Sequence, residues 1–204
     1  RGPAGRGAGM KPYPEYKDSG VEWIGVIPKE WDTFLFKRII TQIKDGTHGT
    51  FERTEEGHPL LSAKNVFNSG IFIGNSESQI SEKDYNDIVK NGFPEKGDLL
   101  ITCVGTIGRT YVYNLDRPFA FQRSVAFLRL NEKCHPQFFY YFVQSNLYSE
   151  QLVSYAKTSA QSGVYMSDIL NTITIYCSLP EQKQITQYLD HKTAQIDSLI
   201  EKKK

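Results

Sequence analysis

KGDLLITCVGTIGRTYVYNLDRPFAFQRSVAFLRL, residues 96–130, is the stretch that decides the fold class. Residues 99–104 and 119–130 are apolar runs rich in β-forming side chains, and turns at 97–98 and 105–108 bound the first run. The pattern predicts short strands joined by tight turns.

Upstream of this stretch the sequence also indicates mainly extended structure. Residues 11–32 form a proline-rich arm that we expect to be pinned to the domain by its aromatic side chains. Residues 33–43 fit a strand or a helix equally well. The polar, glycine-punctuated segment 44–59 predicts a long loop, and residues 60–67 predict another strand.

Downstream, helical signals dominate. Ser81 followed by Asp84 predicts one helix start, and Pro136 is well placed in the first turn of an aromatic-rich helix. After a short strand, TITIYC, Ser178 and Glu181 fit a capping box, in which the serine accepts from first-turn amides and the glutamate reaches back. The predicted fold class is α/β (α+β), a β-rich domain followed by a long C-terminal helix of the coiled-coil type.

The last helix carries a weak heptad stripe of apolar residues. The residues that we expect at a partner-helix interface are Ile185, Leu189, Ile196, Leu199 and Ile200. Because several seam positions are polar, the stripe fits a partner helix and equally an amphipathic helix that lies on its own domain.

Composition limits the classes of function. The 204 residues include 24 Lys and Arg against 23 Asp and Glu, a formal net charge of +1. We interpret residues 1–9 as an expression-tag remnant, and removing Arg1 and Arg6 leaves 22 against 23, or −1. Since phosphate neutralisation supplies most non-specific DNA affinity, a DNA-binding function would need a local patch or other subunits.

Cysteine usage and hydropathy exclude further classes. The three cysteines are scattered and show no CxxC spacing, so the sequence predicts reduced thiols in a cytoplasmic protein, without a disulfide framework or metal site. No apolar run reaches the roughly 18–20 residues of a membrane span, so we expect no membrane association.

No catalytic motif is present in the sequence. GxSxG, GxxxxGK[ST], HExxH and the DPPY-like or NPPF-like tetrapeptide of adenine methyltransferases are all missing. We therefore expect no catalytic residue, metal or cofactor in this chain. Two alternatives stay open: a nuclease or methyltransferase fragment with an unrecognised site, and a protein-interaction module that never contacts DNA.

Polar loops between the strands suggest a nucleic-acid interface. Arg can bond guanine and Asn or Gln can bond adenine through two hydrogen bonds, whereas Lys and short hydroxyls suit phosphates. The candidate DNA-binding residues are Lys44, Thr47, His48, Thr50, Lys64, Asn65, Arg109, Gln122 and Arg123.

Several segments, taken in order, resemble a known family. They read YKDSGVEWIGVIPKEWD, DGTHGT, GHPLLSAKNV, KGDLLITCVGTIGRT, FQRSVAFLRL and SLPEQKQITQYLDHKTAQIDSLIEKKK. From Tyr13 to Lys204 the chain is similar to one half of the specificity subunit of type I restriction-modification enzymes. The arm with its WIG and IP pattern and the LPEQ helix are specific in combination.

The resemblance implies a division of the chain and a set of partners. Residues 10–178 would be one target-recognition domain, which reads one half of a split sequence in double-stranded DNA, and 179–204 the start of a conserved spacer helix. Methyltransferase and endonuclease subunits would be the partners, holding S-adenosylmethionine and ATP with Mg²⁺ respectively. With one recognition domain and one unfinished helix, the chain would be a truncated product or a natural half-subunit that dimerises through this helix.

Overall fold

The structure is a computed structural model that describes residues 12–158 and 163–203. For residues 157 and 158 it describes the backbone. The predicted tag remnant lies outside the described residues. The strands are β1 (Tyr16–Asp18), β2 (Val26–Pro28), β3 (Asp32–Leu35), β4 (Ile40–Asp45), β5 (His58–Leu61), β6 (Val66–Phe67), β7 (Gly70–Ile71), β8 (Gln79–Ile80), β9 (Leu99–Thr102), β10 (Thr110–Val112), β11 (Ala120–Phe121), β12 (Val125–Leu130) and β13 (Ile173–Tyr176). The helices are α1 (Glu82–Lys90), α2 (Pro136–Gln144), α3 (Asn146–Thr158), α4 (Met166–Asn171) and α5 (Leu179–Glu201), with 3₁₀ turns at Phe36–Arg38 and Ala63–Asn65.

The central element is an antiparallel sheet in the order β10-β9-β12-β4. Alternate residues of a strand face opposite sides, so Leu99 and Ile101 join the core beneath the helices while Leu100 packs on the other face. On that second face lie Phe127 and Phe121, the latter from a small sheet in the order β11-β5-β8. The inner strands β9 and β12 are therefore buried on both faces along most of their length, as their apolar sequences require.

The mixed α/β class predicted from the sequence is confirmed, with several small sheets and a long final helix. The ambiguous segment 33–43 contains the end of β3, a 3₁₀ turn and the beginning of β4. The predicted helix start is also correct, since the Ser81 hydroxyl accepts from the Asp84 amide at 3.1 Å. The aromatic helix breaks at Ser145 into α2 and α3, and α4 was not predicted.

The LPEQ segment ties the beginning of α5 to the rest of the domain. Gln182 is fully buried: its Oε1 accepts from the His135 amide at 2.8 Å and its Nε2 donates to the Cys177 carbonyl at 2.8 Å. The Ser178 cap is present, but the predicted reach-back of Glu181 is wrong. Its Oε1 instead accepts from Tyr13 Oη and Trp31 Nε1, two half-buried donors of the arm.

The two halves of α5 have different surroundings. Ile185 is partly buried on the core, and Tyr141 of α2 donates to Asp190 Oδ1 at 2.6 Å. Further along the helix, Ile196, Leu199 and Ile200 are 55%, 60% and 50% exposed. The first half thus lies on its own domain, where Ile185 packs, and the second half presents apolar residues without cover in the described chain.

Candidate nucleic-acid interface

One end of the central sheet collects the polar loops. β4 ends at Asp45, β9 ends at Thr102, β12 begins at Val125 and β10 begins at Thr110. Because neighbouring strands are antiparallel, these four termini lie at the same end of the sheet. We call this region the loop end; it comprises loops 46–57, 103–109 and 122–124 and the adjoining segment 163–165.

Main-chain hydrogen bonds join these segments side by side. The Arg123 amide donates to the Thr47 carbonyl at 3.0 Å, and the Cys103 amide donates to the Ser124 carbonyl at 2.8 Å. The Val164 amide donates in turn to the Cys103 carbonyl at 2.9 Å. Four segments that are distant in the sequence therefore form one continuous surface with a fixed backbone.

Two glycine-dependent features shape this surface. A Cβ at Gly46 would collide with the backbone of Phe121 and Gln122. Only glycine therefore lets the chain that follows β4 pass so close to the end of β11. The turn at 105–108 has glycines at φ +78° and +85°, and the Thr102 hydroxyl accepts from the Arg109 amide at 3.0 Å within it. The GTIG sequence is therefore a structural turn, as expected.

Arg123 and His48 occupy the middle of the loop end, and both are exposed. Both line two adjoining concavities, one of about 700 Å³ against Tyr165 and one of about 410 Å³ against Thr50. His48 Nε2 lies 2.7 Å from Asp45 Oδ2, which fixes the imidazole. Among the described residues, Arg123 forms no ion pair, so its guanidinium is free to contact a partner.

The remaining candidates at the loop end differ in exposure. Thr50 is exposed, whereas Thr47 and Gln122 are half-buried beside each other in a parallel bridge. The Arg109 guanidinium stacks 4.4 Å from the centre of the Phe67 ring, which keeps its charge at the edge of the surface. The strand order thus brings these sequence candidates to one end of the sheet, and their role in binding DNA stays a prediction.

Three candidates have partners inside the protein. Lys44 Nζ donates to the Asn91 carbonyl at the end of α1, at 2.5 Å. Asn65 is 3% exposed, and its amide bonds the chain around it. Lys64 pairs with Glu77 at 2.8 Å but stays 65% exposed. Asn65 therefore has a structural role, Lys44 is anchored to α1, and Lys64 keeps donors for an outside partner.

Two exposed side chains at the loop end lie outside the candidate set chosen from the sequence. Arg53 lines the smaller concavity and Tyr165, 52% exposed, lines the larger one. Arg53 lies in a loop that also carries Glu52, Glu55 and Glu56, so its charge gave no signal in the sequence. Tyr165 reaches the loop end through the contact of Val164 with Cys103, which links residues that are 61 positions apart.

The described residues offer little for catalysis at this surface. Burial raises the pKa of the Cys103 thiol to about 12, so it is protonated and a poor nucleophile at neutral pH. In residues 12–158 and 163–203, no three His, Cys, Asp or Glu side chains converge on a metal-binding geometry. Nor does any helix of this part combine the length and apolarity needed to cross a bilayer.

Comparison with known proteins identifies relatives of the chain. It is 26% identical over 178 residues to the type I restriction enzyme EcoBI specificity subunit of Escherichia coli, which covers 85% of this chain and 37% of that protein. The fold is similar to the HsdS subunit of Thermoanaerobacter tengcongensis, with a TM-score of 0.59, 20% identity, and coverage of 90% of this chain and 41% of that one.

A second solved structure, which concerns complex assembly and conformational transition of the type I R-M system, gives a TM-score of 0.61 at 20% identity, covering 85% of this chain and 40% of that chain. The chain therefore spans about two-fifths of the length of these relatives. Residues 28–204 match the family described as type I restriction modification DNA specificity domain. This chain belongs to that family of type I restriction-modification specificity domains.

Proposed function

We propose that the chain recognises one half of a bipartite DNA target as part of a type I specificity subunit. Residues 10–178 form the recognition domain and 179–204 the start of the spacer helix. The observation that carries the proposal is the loop end, where Arg123 and His48 stand exposed between two concavities on a hydrogen-bonded backbone. Family membership supports the same function.

In this proposal the residues of the loop end and its edge have separate roles. Arg123 and Gln122 read base edges, and Thr47, His48 and Thr50 approach the backbone or bases beside them, because guanidinium and amide groups bond bases in pairs. Arg109 and Lys64, with Arg53, neutralise phosphates at the edge. Of the two neighbours Gln122 and Arg123, Arg123 is the more exposed and is the principal reader.

The chain itself is non-catalytic in this proposal. Methyltransferase and endonuclease subunits carry out adenine methylation and restriction, and hold S-adenosylmethionine and ATP with Mg²⁺. The three cysteines are free and buried, which fits a reducing cytoplasmic location. Ile196, Leu199 and Ile200 take a second helix, supplied by the other half of the subunit or by a second copy.

Methylation of a random library tests the proposed function. The complex assembled with its methyltransferase subunits would be given duplexes in which one half-site is randomised, with labelled S-adenosylmethionine. We expect one half-site to be enriched among methylated products. Uniform labelling of the library would contradict sequence reading by this chain, and assembly without any DNA binding would favour a protein-interaction module.

A further inference from the structure

A second exposed feature lies beside the loop end, at the β6–β7 hairpin and the residues that follow it. Phe72 is 57% exposed and Ile73 is 39% exposed, although both are large apolar side chains. They are adjacent in the chain and precede the exposed residues 74–76. Two neighbouring apolar side chains kept in water at a fixed position call for a physical reason.

A buried polar network fixes this position. The Phe72 amide donates to the Asn65 carbonyl at 2.9 Å, and Asn65 Nδ2 donates to the Phe72 carbonyl at 3.0 Å. The same Nδ2 donates to Glu77 Oε2 at 2.6 Å, which closes the loop on its other side. Both ends of the segment are thus held by one residue that is 3% exposed.

The network also neutralises the nearest acid. The Glu77 side chain is 8% exposed and pairs with Lys64 Nζ at 2.8 Å. Its burial would raise the pKa, but hydrogen bonds from Lys64, Asn65 and the Ser78 amide outweigh burial, and the pKa is lowered. Residues 64–76 contain no Asp or Glu, so the segment that carries Phe72 has one charged side chain, Lys64, and otherwise neutral groups.

Ring contacts connect Phe72 to the proposed phosphate contacts. The Phe72 ring meets the Phe67 ring edge-on at a centroid distance of 5.3 Å. The Arg109 guanidinium lies 4.4 Å from the centre of the same Phe67 ring. On the other side of the hairpin, the Ala63 amide donates to Ser124 Oγ at 3.0 Å. The hairpin is therefore continuous with the loop that carries Arg123.

We propose that Phe72 and Ile73 form an apolar wedge that packs against the sugars and base edges of the bound duplex. The inference rests on the proposed function and adds a contact outside the polar loops. Apolar side chains inserted at a groove are a known way to fix or deform DNA. DNA is favoured over a protein partner because Arg109 stacks on the Phe67 ring that Phe72 contacts, and because Lys64 pairs with the buried Glu77 carboxylate at the base of the segment.

Salt dependence of binding separates the wedge from the phosphate contacts. The affinity of the complex would be measured at several salt concentrations. The ligands would be fluorescent duplexes that carry the half-site which the unsubstituted complex enriches from the methylation library. We expect Phe72→Ala to lower affinity about tenfold at every salt concentration with an unchanged slope, since a partly buried phenyl ring releases no counterion. Phe72→Leu should retain most of the affinity. Val153→Ala, the truncation of an apolar side chain on α3 that is 46% exposed, is the control.

The outcomes distinguish this inference from the proposed function. Wild-type affinity for Phe72→Ala, beside a loss for Arg123→Ala, would overturn the wedge and leave recognition intact. Weaker assembly with methyltransferase at unchanged DNA affinity would also overturn it, in favour of a protein contact. If the unsubstituted complex binds no duplex, the proposed function itself fails. Thermal melting of Phe72→Ala near the wild-type temperature ensures that a loss is not unfolding.

Discussion

Single residues show most clearly what a sequence reveals and what it hides. Arg123 lies among three polar residues, 122–124, between two apolar segments, and its side chain is exposed. Asn65 has an equally suitable side chain, but its burial depends on Phe72 and Glu77, which follow later in the chain. Long-range partners of this kind leave no local signal, so residue type alone predicted both positions alike.

Arg123 is expected to determine base preference. Replacing it with Ala removes up to two hydrogen bonds to a base and should cost about 1–3 kcal/mol of discrimination. Replacement with Lys keeps the charge but loses the planar fork, so it should restore affinity more than preference. Methylation of a randomised half-site library measures both. An unchanged preferred half-site in Arg123→Ala would show that this side chain is solvated or structural.

Glu77 makes stability depend on pH. Its folded pKa lies below the ordinary 4.5, so its contribution is present above that value and is lost as the pH falls through the folded pKa. We expect Glu77→Gln to cost about 2 kcal/mol at pH 7, because the three hydrogen bonds to this charged acceptor weaken.

Denaturant unfolding between pH 3 and pH 7 measures this effect. The difference in the free energy of unfolding between wild type and Glu77→Gln should become smaller below pH 4.5. Asp116→Asn removes a carboxylate that is 91% exposed in its pair with Lys96, and should change little. A difference that stays constant with pH would mean that Glu77 acts through packing alone.

At the scale of elements, the helix that ends the described chain combines two environments. The heptad pattern left open whether α5 packs on its own domain or on a partner, and the first half does the former. Heptad position could not separate the halves, because burial of Gln182 and Thr186 depends on α2 and β13. The strands were easier to predict, since buried strands carry their pattern locally.

The exposed half of α5 is expected to bind a second helix. Leu199→Asp places a charge in the stripe and should abolish assembly of the subunit while leaving the domain's melting temperature unchanged. Gln182→Ala should do the reverse, costing about 3 kcal/mol of stability by leaving buried groups without partners. Sedimentation and thermal melting measure the two effects. Normal assembly of Leu199→Asp would exclude Leu199 from the interface.

The whole molecule is close to electrically neutral, with a net charge of +1. Arg53, Arg109 and Arg123 line the loop end, while Glu52, Glu55 and Glu56 share its longest loop. The local field is therefore mixed, and long-range attraction to DNA is small. Composition predicted this weakness, but the gathering of the cations at one sheet end depends on strand order.

Binding by the isolated chain should accordingly be weak. We expect micromolar or poorer affinity, roughly the range of non-specific binding at physiological salt, with a shallow salt slope. The methyltransferase subunits should strengthen it strongly by adding phosphate contacts. Titration of one duplex at several salt concentrations, with and without the methyltransferase, measures both quantities. Tight, salt-insensitive binding by the chain alone would contradict this expectation.

The backbone hydrogen bonds that connect the loops of the loop end affect how such a surface can diversify. Thr47, Arg123, Cys103 and Val164 are held to their neighbours through amides and carbonyls, which every residue type except proline supplies in full. The side chains of Arg123, which is exposed, and Thr47, which is half-buried, are therefore exchangeable without rebuilding the scaffold, whereas those of Cys103 and Val164 lie in the core. Evolution can rewrite the surface one substitution at a time, and grafting loop residues from a relative should transfer a preference while the sheet beneath stays the same.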